Sequence, residues 1–186
     1  MGEREGVDYR IVAIDRQSPV AIIAPHGGYI EPPTSRIARA LAGDSFNLYC
    51  FEGVEKDRDH HELHITSHNF DEPIGCGIVA RSRVVVALHG RLDRHDPQAA
   101  WLGGLDVALR DRMAAALQRA GFQALTEGHM FPADQVANIC NKGCLGKGVQ
   151  LELPRGLRDG LAKSPELLGR FVQAMRAELS DQAAVL

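Results

Sequence analysis

The chain has 186 residues, 45% of them apolar and 24% charged, with a formal net charge of −3. That length suits one well-buried domain, the composition excludes a disordered chain, and the charge balance excludes the overall basicity of a nucleic-acid binder. No run of about 18 apolar residues occurs, and the opening "MGEREGVDYR" is charged where a secretory signal needs an apolar stretch. No membrane span is expected, and the cytoplasm is the expected compartment. Cysteines at 50, 76, 140 and 144 read as free thiols in such a chain.

Short β-branched runs recur along the chain: "YRIVAI" (9–14), "VAIIAP" (20–25), "FNLYCFE" (46–52), "ELHITS" (62–67), "RVVVALHG" (83–90), "FQALT" (122–126) and "VQLEL" (149–153). Several are almost continuously apolar, as strands buried on both faces are. Helical periodicity lies between some of them. Thr34 is placed to cap "SRIARALA", whose Ile37, Ala38 and Leu41 share a face and which Gly43 stops. "GLDVALRDRMAAALQRAG" sets Leu105, Leu109, Met113 and Leu117 at steps of four. Ser164 and Pro165 open "ELLGRFVQAMRAEL", with Leu168, Phe171, Val172 and Met175 as its apolar stripe. Strands alternating with helices predict one α/β domain over 1–186, a mixed and mostly parallel sheet between helices.

Ligands in open α/β sheets collect at the carboxyl ends of the strands. His26 follows "VAIIAP" and His89 ends "VVVAL", each with a glycine directly after it. Glu31 shares a short loop with His26, and Gly27-Gly28 lets that loop fold back on itself. Two imidazoles and a carboxylate form the protein ligand set of a hydrolytic zinc site, with a fourth position open to water. In "GVQLELPRG", Val149, Leu151 and Leu153 alternate with Gln150 and Glu152. A glutamate among such apolar neighbours is costly unless paired or used, which makes Glu152 the candidate general base. Plainer roles stay open: Glu31 as a helix cap, Glu152 as an ion-pair partner of Arg155 or Arg158, each histidine as an ordinary hydrogen-bonded residue.

Two further clusters carry less. "DRDHHELHITSHNF" misses the helical zinc-protease spacing, since Ile65 stands where the second histidine belongs, so His60, His61, His64 and His68 read as solvated or substrate-facing. Cys140 and Cys144 in "CNKGC" have no second pair to complete a zinc cage.

The segments "PHGGYIEP", "LYCFEG", "LHITSHNFDEP", "VVALHG", "GGLD", "NICNKG" and "GVQLELPRGLR", in that order over about residues 20–160, resemble the poly-γ-glutamate hydrolase family, typified by phage-encoded enzymes. The resemblance implies a compact zinc-carboxypeptidase-like fold, one Zn2+ per chain on His26, Glu31 and His89, and Glu152 as general base. It also implies hydrolysis of γ-linked polyglutamate by zinc-activated water. Asn138, Asn141 and Arg155 lie nearest the motifs and are the candidate substrate contacts. An anionic peptide or polyglutamate partner would favour a cationic rim, for which Arg36, Lys142, Lys147, Arg155 and Arg158 are available. Two alternatives remain: a zinc deacylase or small-peptide amidase, and a non-catalytic, phage-associated binding module.

Overall fold

The computed structural model describes residues 3–56, 58–94 and 96–183. Its strands are β1 (Tyr9–Ile14), β2 (Val20–Gly28), β3 (Asn47–Gly53), β4 (Val84–Arg91), β5 (Ala100–Gly103), β6 (Ala124–Leu125) and β7 (Val149–Pro154). They form one seven-stranded sheet in the order β1-β3-β2-β4-β7-β5-β6. The central β3, β2, β4 and β7 run parallel, while β1 pairs antiparallel with β3 and β5 with β7. The helices are α1 (Thr34–Ala42), α2 (Pro73–Arg81), α3 (Val107–Arg119), α4 (Arg155–Lys163) and α5 (Pro165–Ala183). The chain is a single mixed α/β domain, as the alternation of runs predicts.

Strand alternation sorts the core into two layers. Val20, Ile22, Val86, Leu88, Leu151 and Leu153 face the four helices α1, α3, α4 and α5, where Ile37, Leu41, Met113, Leu117, Phe171 and Met175 are buried with them. Burying one such side chain contributes roughly 1.5–3 kcal/mol, so this layer is the main reserve of stability. The opposite face carries Ala21, Ile23, Tyr49, Val85 and Ala87 under α2 and irregular segments that include Leu63, Phe70 and Ile139. That second face has fewer helices over it, and the carboxyl ends of β2, β4 and β7 are open there.

Several elements differ from their sequence reading. "ELHITS" is no strand: His61–Leu63 is a single 3-10 turn and the rest is loop. Both edges of β3, the strand just before it, are already taken by β1 and β2, and the Ile65 carbonyl accepts from the His26 ring instead of from a neighbouring strand. "FQALT" contributes only the two-residue β6. Thr34 is the first residue of α1 and caps nothing; its hydroxyl donates to the His26 carbonyl. Leu105 precedes α3, which the Asp106 side chain caps by accepting from the Leu109 N–H. Helix α2 has a weak apolar pattern, broken by Gly75 and Gly77, and forms on Pro73 and the Glu72 carboxylate, which accepts from Ile74 N and Gly75 N.

Candidate metal centre and catalytic cleft

Simple alternation along β2 would send His26 to the helix-covered face with Ile22 and Ala24. It does not go there, because β2 gains one residue on β3 between Ala24 and Gly27, where Ala24 pairs with Cys50 and Gly27 with Glu52. A bulge of this kind re-aims the side chains beyond it. The chain then turns at Gly28, whose φ of 60° is easy only for glycine and where a Cβ would strike the Gly53 carbonyl. The turn is held by Tyr29 N to Gly53 O and by Glu31 N to His26 O, at 3.0 Å each. It swings Glu31 back over His26. His89 needs no such device, since β4 alternation places it on the open face with Val85 and Ala87.

The three side chains meet. His26 Nδ1 is 3.1 Å from His89 Nδ1 and 3.1 Å from Glu31 Oε1, and Glu31 Oε2 is 3.8 Å from His89 Nδ1. Tetrahedral donors about 2.1 Å from a cation stand roughly 3.4 Å apart, so this donor set fits one zinc. A fourth group adjoins it: His64 Nε2 donates to Glu31 Oε1 at 2.8 Å and its ring stacks on His26 at 4.0 Å. His26, Glu31 and His64 offer ligand atoms that all lie within 4.8 Å of one another. The Gly90 N–H donates to Glu31 Oε2 at 2.7 Å.

Electrostatics follow from this crowding. Burial raises the Glu31 pKa, but hydrogen bonds from His26 and His64 outweigh it and hold the carboxyl well below its ordinary range. Burial, aided by the neighbouring His26, lowers His89 to about 3. His64 is raised by its bond to Glu31.

Glu152 stands one strand over. It is the register partner of His89 across β4 and β7 and of Trp101 across β7 and β5, which puts the three in one row on the open face. Burial, then the Glu31 carboxylate, push its pKa to about 8 against the pull of Arg91 and Arg158. Neither Arg155 nor Arg158 pairs with it: Arg155 bonds Asp159, and Arg158 donates to the carbonyls of Leu153, Arg91 and Pro32. The partner of Glu152 is Gln150, whose Nε2 donates to Oε1 at 2.9 Å, and Asn138 in turn donates to Gln150 Oε1 at 2.8 Å. The i, i+2 spacing that puts Gln150 on the face of Glu152 is the sequence signal for this contact.

These residues line a cleft of about 560 Å³. His64 stands at its β2 side, stacked on His26, Trp101 and the neighbouring Phe131 stand at its β5 side, and His68, Leu92 and Met130 complete the lining. Asn138 lines the cleft, although its amide is committed to Gln150 and to the Cys140 N–H. Asn141 does not line it: the side chain is buried and braces loops by bonding Ala133 O, Gln135 O, Leu105 N and Gly148 N. Arg155 starts α4 outside the cleft. Nor do the expected rim cations line it among the described residues. Lys147 pairs with Asp106, Lys142 bonds Phe70 O, Arg158 is buried, and Arg36 is exposed elsewhere. The cations that do line it are Arg94 and Arg91, and the Arg91 guanidinium lies 3.5 Å over the Trp101 ring. His64 and His68 line the cleft, as their substrate-facing reading expects, but neither the spacing of His64 nor its strand-like neighbours pointed to its bond with Glu31.

Residues 1–180 match the family model for poly-gamma-glutamate hydrolase. The chain is similar to the structure of a bacteriophage poly-gamma-glutamate hydrolase, with a TM-score of 0.91 and 25% identity over 99% of this chain and 94% of that one. A zinc-free apo structure of YndL superposes with a TM-score of 0.85 and 33% identity over 94% of this chain and 91% of that one. In sequence, the chain is 36% identical to the UPF0714 protein YndL of Bacillus subtilis strain 168 over 83% of this chain and 60% of the relative. It is 34% identical to the SPbeta prophage-derived UPF0714 protein YoqZ of the same strain over 88% of this chain and 59% of that relative. The chain thus spans about three fifths of the length of the curated relatives it matches. Sheet order, open strand ends and sequence together place the chain in the poly-gamma-glutamate hydrolase family.

Proposed function

We propose that the chain is a zinc-dependent amide hydrolase that cleaves γ-glutamyl linkages of poly-γ-glutamate, with His26 Nδ1, His89 Nδ1 and Glu31 holding one zinc. The observation that carries this reading is the pair of buried Nδ1 atoms 3.1 Å apart, with the Glu31 carboxylate against both. His89 is a better third ligand than His64. Lone pairs lie in the ring plane, and the planes of His26 and His64 are stacked only 27° from parallel, so they converge poorly on one point. The 69° angle between His26 and His89 lets the two Nδ1 atoms converge.

Zinc, when bound, supplies Lewis-acid polarisation of the scissile carbonyl and an acidified water. The chain's own part is to place and move protons. Glu152, buried in the cleft with Oε1 held by Gln150, is the proton carrier: a bound cation would offset the burial and the Glu31 charge that favour its neutral form, and the ionised carboxylate takes a proton from the attacking water and delivers it to the leaving nitrogen. Trp101, its register partner on β5, and the loop carrying Met130 and Phe131 line the same cleft.

A γ-linked glutamyl chain carries two methylenes per residue between its carboxylate-bearing carbon and its amide. The apolar β5 side suits those methylenes, and Arg94, His64 and His68 suit the carboxylates. The same apolar side favours the second reading, a deacylase or small amidase acting on an apolar acyl group. Protein reconstituted with zinc and offered γ-linked glutamyl oligomers, α-linked oligomers and N-acyl amino acids separates the two. Release of shorter γ-linked products is the expected result. Turnover of N-acyl amino acids alone moves the assignment to the second reading, and tight binding without turnover of any substrate leaves a binding module.

A further inference from the structure

We infer that the four-residue segment His64-Ile65-Thr66-Ser67 is the orienting collar of the metal centre, supplying a hydrogen-bond partner to each of the three proposed ligands. The inference rests on the metal-site reading above. His64 Nε2 donates to Glu31 Oε1 at 2.8 Å, the Ile65 carbonyl accepts from His26 Nε2 at 2.7 Å, and Ser67 Oγ lies 3.2 Å from His89 Nε2. Three ligands from two strands and a turn thus find partners within one stretch of loop.

The chemistry of each contact is directional. A backbone carbonyl only accepts, so His26 Nε2 carries a proton. With that proton fixed there, Nδ1 is the nitrogen that gives up its own proton, now shared with Glu31, and would turn its lone pair to a cation on the side where His89 and Glu31 lie. A proton on His89 Nε2, accepted by Ser67 Oγ, does the same for His89 Nδ1. The bond from His64 to Oε1, with Gly90 N on Oε2, fixes the plane of the Glu31 carboxylate. Outer partners of this kind orient metal ligands and raise their basicity.

The collar is itself anchored. Leu63 before it is buried in the second core layer, the Ser67 carbonyl accepts from Ile139 N at 2.9 Å, and the Thr66 carbonyl accepts from Asn69 N at 2.8 Å. Those anchors are backbone bonds and one apolar side chain. Replacing the Ser67 side chain therefore leaves the loop's attachment in place and removes only the contact to His89, while replacing His64 removes its bond to Glu31 and its stack on His26.

The test is zinc affinity measured by chelator competition on the purified, metal-stripped protein, which needs no substrate. Wild type is expected to bind one zinc per chain. His64→Ala and Ser67→Ala are each expected to keep that stoichiometry while the dissociation constant rises roughly 10- to 100-fold. His64→Gln, which keeps an N–H donor at similar reach, and Ser67→Thr, which keeps the hydroxyl, are expected to recover most of the loss. Urea midpoints of the metal-free Ser67 variants should match wild type, and His64→Ala and His64→Gln should be compared at matched stability, which separates positioning from general destabilisation. Unchanged affinity in both alanine variants overturns the inference. Loss of the site in His64→Ala with no rescue by Gln overturns the positioning role of His64 and makes it a ligand. A wild type that binds no zinc overturns the metal-site reading itself.

Discussion

The two sides of the site are built by different means. On the β4–β7 side, His89 and Glu152 are register partners on regular strands, and each points into the cleft because plain alternation sends it there. On the β2 side, His26 needs a bulge, Glu31 needs a turn with positive φ, and His64 needs an irregular loop pinned by Leu63. The first side inherits its precision from the sheet. The second is assembled from hydrogen bonds between loops, and its geometry is correspondingly easier to perturb.

Removing a proposed ligand from either side should have the largest effect. His89→Ala and His26→Ala are expected to lose stoichiometric zinc, read by metal analysis of protein purified without chelator, and to lose hydrolysis with it. Retained zinc in both would dissolve the comparison, because there would be no shared centre for the two sides to build. Glu152→Gln comes next. Zinc content should persist while turnover of γ-linked oligomers falls by roughly 10²–10⁴, since the proton acceptor is lost and the ligands are not. Undiminished turnover would remove Glu152 from its role.

Much of the sheet-built side was legible in the sequence. The alternation in "GVQLELPRG" separates Leu151 and Leu153 from Glu152 by face, and the apolar run "VVVAL" leads directly to His89, although β4 continues through Gly90 to Arg91. The long helices α3 and α5 were legible too, because Leu109, Met113 and Leu117 on one and Phe171 and Met175 on the other repeat with helical spacing. The loop-built side was legible only in part. His26 and Glu31 were found from residue type, but the bulge that lets them meet depends on pairing with β3, which no local pattern encodes. His64 was obscured because its contact with Glu31 spans 33 positions and its neighbours alternate like a strand. Asn141 and Arg155 were chosen for polarity near motifs. Their partners, backbone groups in one case and Asp159 in the other, show that polarity alone does not place a side chain in a cleft.

Smaller effects on stability sharpen the same contrast. Gly28→Ala forces a side chain into positive φ and against the Gly53 carbonyl, so a loss of about 1–3 kcal/mol is expected from urea denaturation. Gly77→Ala, on the exposed side of α2 with only the end of Arg81 nearby, is expected to gain up to about 1 kcal/mol. An unstrained Gly28→Ala variant would mean that the turn over His26 is looser than its backbone indicates.

Glu52 lies on β3 opposite Gly27, just past the bulge in β2. It is buried and bonded by Arg10 at 2.6 Å and Arg39 at 2.7 Å, and these bonds outweigh burial and lower its pKa. A carboxylate with a folded pKa below its unfolded value stabilises the fold above the unfolded pKa, and that contribution fades as pH falls through the folded one. Glu52→Gln should therefore cost about 1–2 kcal/mol near pH 7, limited by the partial exposure of both arginines. It should also flatten the acid-side decline of stability below the ordinary glutamate range. An equally steep decline in the variant would assign that acid sensitivity to other carboxylates.

The central claim is that His26, Glu31 and His89 share one cation. Anomalous diffraction at the zinc edge from crystals of zinc-loaded protein tests it most directly. The account predicts a single peak bonded to both Nδ1 atoms and to the Glu31 carboxylate, with His64 outside bonding distance. A peak on His64 in place of His89, or none at the ends of β2 and β4, would contradict it.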